Sequence, residues 1–141
     1  MPEAPHHSAQ PHGGHGDAAG RAVDDHRTLL PAIMRRTQAE NLRTLRQHGV
    51  TIAIGSDHAT TSVAEALHLH TLQVFDNLTL LKMWCETTPR TIFPRRNIGS
   101  LADGHEARFL VLQGNPIERF EETTRFTMRF KQGHPLLLPN D

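Results

Sequence analysis

Apolar residues fall along this chain in three patterns, a helical period, an unbroken run and a period of two, and each predicts a different element. From Asp24 the stretch "DDHRTLLPAIMRRTQAENLRTLRQHG" sets Leu, Ile and Met among charges, with a proline at Pro31. A short helix is expected before that proline, because an internal proline removes a backbone donor and crowds the preceding turn. After it Ala39, Leu42 and Leu45 recur every third residue, with Arg43, Arg46 and Gln47 facing outward. Gly49 supplies a left-handed stop for that second helix. "VTIAI", Val50 to Ile54, then reads as a strand buried on both faces, since it is β-branched with scarcely any polar alternation. Helix, glycine and buried strand make the α-to-β half of a βα repeat.

After the small residues of "ATTS", the segment "VAEALHLHTLQVF" predicts a helix over Ser62 to Val74, its apolar face formed by Ala64, Leu67, Thr71, Val74 and Leu78. "NLTLLKMWCETTP" follows with Leu80, Leu81 and Trp84, and Thr88-Pro89 reads as a fresh N-cap and first turn for a short helix through Phe93. Beyond Pro94 the period changes to two. "EARFLVL" is a strand ending at "QGNP", and "RFTMRFK" alternates Phe126, Met128 and Phe130 against Arg125, Thr127, Arg129 and Lys131. Gln132-Gly133 turns the chain into "HPLLL". The result is a small antiparallel unit with one apolar face, too small to stand alone. Three regions follow: a His/Pro/Gly-rich tail with a short helix over 1–37, the strand and its helices over 38–95, and β-strands over 96–141.

Composition narrows the function classes. The 141 residues carry 15 basic and 15 acidic side chains, for a formal net charge of zero, which gives no electrostatic reason to expect nucleic acid or an anionic membrane as partner. "MPEAPHHSAQ" has neither a basic nor an apolar signal region, and no apolar run approaches the roughly 18 residues of a membrane span. The expectation is a soluble, cytoplasmic chain. The single cysteine, Cys85, cannot form an internal disulfide and is expected to be a small buried hydrophobe. Four of the eleven histidines, His6, His7, His12 and His15, fall in a tract rich in Pro, Gly and Ala. Such a tract cannot bury enough apolar surface to offset its chain entropy, and disorder with loose metal binding is the expectation there.

The candidate chemistry sits at the end of "VTIAIGSDH". In a parallel α/β sheet, ligands gather outside the carboxyl ends of the strands, and Asp57 falls there, three residues past Ile54. A carboxylate in that position can hold a divalent metal or take a proton from its water. The other reading of "SDHATT" is a loop in which Ser56 or Asp57 caps the next helix. His68 and His70 form "HLH", yet on a helix residues two apart face different sides. They are expected to be surface or interfacial histidines rather than a chelating pair. "GSLADGHEARFLVLQGNPIE" reads as turn, strand, turn, an entry into a β unit with no chemistry of its own.

Taken in order, "NLRTLRQHGVTIAIGSD", "TTPRTIFPRRNIGSLADGHEARFLVLQGNPIE" and "RFKQGHPL" resemble the end of a metal-dependent amidohydrolase, particularly of the imidazolonepropionase-like branch. The resemblance covers about Gln38 to Leu136. It implies an α/β chain that is the C-terminal fragment of a (β/α)8 TIM barrel plus strands of a flanking β-sandwich. It also implies that Asp57 is the metal ligand and general base of the last barrel strand, with Ser56 and His58 beside it at the barrel mouth. The cofactor implied is a divalent metal, zinc foremost, and the reaction is hydrolysis of a non-peptide or cyclic amide C–N bond in a small molecule. The family's remaining ligands, an H-x-H, a bridging lysine or glutamate and further histidines, belong to sequence upstream of Gln38. Where the family has "A-D-L" this chain has Ala107, Arg108 and Phe109, a structural position.

One carboxylate cannot assemble a site that needs about three protein ligands for catalytic zinc. The chain on its own is therefore expected to be inactive and poorly folded or self-associating. Two other classes of function stay open: a noncatalytic module docking on a complementary N-terminal fragment or another copy, and a metal-binding protein using the tail histidines.

Overall fold

The computed structural model describes residues 17–56 and 61–137, the backbone alone over 17–28. The chain divides into two compact units, 1–34 and 35–141. In chain order the elements are α1 (Asp17–Gln47), α2 (Ser62–Thr71), α3 (Asn77–Lys82), a π-helical turn (Met83–Thr87), α4 (Thr88–Ile92), β1 (Phe109–Leu112), a 3-10 turn (Phe120–Thr124), β2 (Phe126–Lys131) and β3 (His134–Leu136).

Helix α1 does not break at Pro31, which stands inside it. A proline costs one backbone bond and a steric adjustment, and here the helical register continues past it. The end of α1 follows the sequence reading. Gly49 takes φ +68, its N–H donates to the Arg46 carbonyl and that of Val50 to the Leu45 carbonyl, the paired bonds of a Schellman stop. Arg46 does not merely face solvent, because its guanidinium donates to the Val74 carbonyl at 3.0 Å and lies 5.7 Å over the Phe75 ring.

Val50 to Ile54 is not a strand: the segment has no ladder partner among the described residues, with Ile54 buried, Ile52 half-buried and Val50, Thr51 and Ala53 exposed. β-propensity supplies an extended backbone, but a strand exists only where a neighbour accepts its hydrogen bonds. Helix α2 starts where predicted, with the Thr61 hydroxyl accepting from the Ala64 N–H. Its buried face is Ala66 and Leu69, not the expected Ala64, Leu67 and Thr71. The helix ends at Thr71, so Val74 and Leu78 lie beyond it and lose the helical phase. Val74 is nonetheless buried with Leu72 and Phe75 in the turn, while Leu78 is exposed.

Asp76 caps α3, its carboxylate accepting from the Thr79 N–H at 2.7 Å and from the Thr79 hydroxyl at 3.0 Å. Those bonds, the backbone one first, hold its carboxyl below the usual range. A short helix, α4, does begin at Thr88 with Pro89 in its first turn and ends before Phe93, but Thr88 is not its N-cap. Thr88 has helical φ −59 and ψ −51, and its N–H reaches back five residues to the Met83 carbonyl. The π-turn reconciles the proline with a continuing helix: Pro89 has no N–H for the Cys85 carbonyl, and one wider turn lets the chain pass. Gly99, at φ +89, fits against that carbonyl, since any Cβ there would collide with the Cys85 oxygen and come within 3.2 Å of the Glu86 Cα. Cys85 itself is exposed rather than buried.

The sheet is an antiparallel meander, β1-β2-β3. Phe109 pairs with Phe130, their rings stacked with centroids 4.5 Å apart. Gln132 and Gly133 both take positive φ, 53 and 79, the geometry of a two-residue hairpin turn. The register shifts between Val111 and Leu112, so that Leu112 pairs with Phe126 while Val111 pairs with Met128. That bulge moves Phe126 off the face of Met128 and Phe130, and apolar side chains line both faces. Met128, Leu110 and Leu136 are exposed. The core lies instead among Ala39, Ile54, Ala66, Leu69, Leu72, Val74, Phe75, Leu80, Met83 and Phe120.

Candidate functional site

The predicted acid, Asp57, and its neighbour His58 lie outside the described residues. What the structure describes is the segment that leads to them. Gly49 ends α1, and the segment that Val50 begins is anchored at Ile54. The Ile54 side chain is 3 % exposed within the core. Its backbone N–H donates to the Thr88 hydroxyl at 2.8 Å, and that hydroxyl donates in turn to the Met83 carbonyl at 2.7 Å. Thr88 is itself buried, at 8 % exposure. Ser56, half-buried, follows two residues later.

The hydroxyl thus does for Ile54 what a neighbouring strand's carbonyl would do. A buried N–H left without a partner costs the desolvation of that group, and Thr88 removes the cost while fixing the height of the chain end. The Thr-Pro dipeptide was readable as punctuation, but a hydroxyl donating five residues back and accepting from 34 residues upstream has no local sequence signature.

The histidine pair separates as its helical spacing predicts. His68 Nε2 meets the Gln38 side-chain oxygen at 2.8 Å. His70 stacks on Phe120 with centroids 5.0 Å apart, and its Nδ1 lies 3.7 Å from the Glu121 carboxylate. Each ring has a different partner, and neither is presented with the other. Among the described residues no group of three or more His, Cys, Asp or Glu side chains is placed to hold a metal ion, so they do not by themselves fit a divalent-metal centre. The tail histidines lie outside the described residues.

The link between α4 and β1 is pinned by charge. Arg96 binds Glu106 through two nitrogens, at 2.7 and 2.5 Å, and Arg108 Nε reaches the same carboxylate at 2.9 Å. The Arg96 contact first, and Arg108 after it, hold the Glu106 carboxyl down at about 2. Arg96 also lies 5.3 Å over the Phe93 ring. The "LADGH" turn closes with the His105 N–H on the Ala102 carbonyl, Gly104 taking φ +77. After β1, Asn115 builds its own turn by accepting from the Ile117 N–H at 3.0 Å, and Asn77 donates to the Ile117 carbonyl at 2.9 Å. Glu122, 4 % exposed, is paired with Arg119 and Arg125. These interactions are structural: they hold turns, and none converges on the end of the Val50–Ser56 segment. No helix among the described residues is long and apolar enough to cross a membrane.

No known protein family and no curated protein matches this chain. Two solved structures resemble it. A crystal structure of an uncharacterized protein superposes with a TM-score of 0.60 at 23% identity, covering 70% of this chain and 26% of that one. A crystal structure of a prolidase complexed with N-methylphosphonate-L-proline superposes with a TM-score of 0.59, again at 23% identity and over 70% of this chain and 26% of that one. The likeness is one of fold, and this chain spans about a quarter of the length of each.

Proposed function

We propose that this chain is the C-terminal part of an amidohydrolase-type, metal-dependent hydrolase acting on a non-peptide or cyclic amide C–N bond. The observation that carries the reading is the superposition of 70% of the chain on a part of a prolidase structure. The sequence resemblance running from Gln38 to Leu136 supports it independently. In this reading Val50–Ile54 corresponds to the last strand of a (β/α)8 barrel, without its ladder among the described residues, and β1, β2 and β3 are strands of a flanking sandwich.

Asp57 is then the carboxylate at the barrel mouth, with Ser56 and His58 beside it. Bound there, a divalent metal, zinc foremost, would lower the pKa of a water and polarise the scissile carbonyl. Asp57 would help hold that metal and would accept the water's proton and return it to the nitrogen as the C–N bond breaks. One carboxylate does not complete a site needing about three protein ligands. The remaining ligands belong to further barrel strands, and this chain alone is expected to be inactive and either poorly folded or self-associating.

A second reading rests on a different observation. Within residues 35–141, Leu101, Leu137 and Met128 are more than half exposed, which suits a module that docks on a complementary polypeptide without chemistry of its own. The DNA preceding the first codon separates the two. An H-x-H followed by further barrel strands in any frame supports the hydrolase reading, and its absence in every frame overturns it in favour of the docking module.

A further inference from the structure

We propose that Thr88 is a positioning residue, the clamp that fixes the Ile54 end of the Val50–Ser56 segment, the stretch that precedes Asp57 in the sequence. Three observations converge on it. The Thr88 hydroxyl is buried and makes two bonds at once, accepting from the Ile54 N–H at 2.8 Å and donating to the Met83 carbonyl at 2.7 Å. The donor it accepts from lies three residues before Asp57, and the run that precedes it has no strand partner among the described residues. The π-turn Met83–Thr87 and Pro89 fix the hydroxyl from the other side. Thr88 N–H bonds the Met83 carbonyl, Pro89 leaves the Cys85 carbonyl without its usual donor, and Gly99 admits that carbonyl where a side chain could not. Single π-turns inside helices are rare, and those that occur are frequent at functional sites. A threonine serves here because its β-branch limits χ1 while its oxygen can donate and accept together.

The bearing on Asp57 rests on the function proposed above; the hold on Ile54 does not. The test is amide hydrogen exchange by NMR on the full 141-residue chain. In the wild type, Ile54 is expected to be at least tenfold more protected than Ala53, its neighbour in the same unladdered run. Thr88→Val keeps the shape and removes the hydroxyl. It should lower Ile54 protection relative to Leu80 by tenfold or more and shift the amide resonances of Gly55, Ser56 and Asp57. Thr88→Ser, which keeps the hydroxyl, should restore both. A merely space-filling threonine would give the opposite order, with valine harmless and serine damaging. Equal protection of Ile54 and Ala53 in the wild type overturns the proposal, as does an unchanged Ile54 to Leu80 ratio in Thr88→Val. If Thr88→Val does not fold, the wild-type comparison and Thr88→Ser still decide. Loss of the hydrolase reading would leave the Ile54 result standing and remove only its catalytic meaning.

Discussion

Truncating Phe120 should remove more stability than any other single side-chain change in the described core. Phe120 is completely buried, lies in the short 3-10 turn before β2, and stacks on His70 of α2 with centroids 5.0 Å apart. It is the largest side chain with no exposure and ties the C-terminal third to the helices. Phe120→Ala deletes the ring and leaves a cavity that the turn, fastened by Glu122 to Arg119 and Arg125, cannot collapse to fill. Such a change costs about 3–5 kcal/mol, against a total of about 5–15 kcal/mol for a domain. Phe120→Leu keeps most of the volume and should cost closer to 1.5 kcal/mol. The assay is urea unfolding followed by Trp84, the one tryptophan and half-buried in its helix, at several protein concentrations. With a slope of about 2 kcal/mol/M, the alanine midpoint should fall by roughly 2 M. Leu137→Ala, at a residue 95% exposed, should stay within about 0.5 kcal/mol of the wild type. A loss below about 1 kcal/mol for Phe120→Ala would refute the assignment of Phe120 to the core.

Two further changes probe the link that carries the chain from α4 to β1. Gly99→Ala should destabilise by at least 2 kcal/mol, because a Cβ both meets the Cys85 carbonyl and strains a φ of +89; thermal melting of the variant checks it, and a change under 0.5 kcal/mol would sink the close approach. Glu106 has a carboxyl lowered from 4.5 to about 2 by Arg96 and then Arg108. A depressed carboxyl contributes stability that is present above its unfolded value and lost as pH falls toward the folded one. The wild-type advantage over Glu106→Gln in urea midpoint should therefore hold at pH 6 and shrink between about pH 4.5 and 2; an advantage that grows on acidification would contradict the ion cluster.

What the sequence made legible was whatever local chemistry decides. Gly49 announced a left-handed stop, because few other residues take φ +68 without strain. The period of two in "RFTMRFK" gave β2, and Gln132-Gly133 gave its hairpin. The bulge between Val111 and Leu112 was hidden, since a register shift belongs to a pair of strands and not to either one. "VTIAI" carries strand propensity but cannot name its partners, and without them Val50 is 48% exposed. Pro31 reads as a break between two helices and Pro89 as the first turn of a new one. Pro31 stays inside α1, and Pro89 is absorbed by a wider turn, outcomes decided by backbone bonds several residues away. Asp57 is singled out by its place after an apolar run and by family resemblance, and it lies outside the described residues. Thr88 was misread as a helix cap because its partner, Ile54, is 34 residues distant.

The central claim, that Asp57 belongs to a metal-dependent hydrolytic site, is tested most directly by a chimera. Residues 35–137 of this chain would replace the superposed quarter of the prolidase structure, and metal-dependent hydrolysis of the prolidase's substrates would be measured with Asp57 and with Asp57→Asn. The account predicts metal-dependent turnover that falls by about 10²–10⁴ in Asp57→Asn, the usual contribution of a positioned base. A folded chimera that turns over equally with either residue would contradict it.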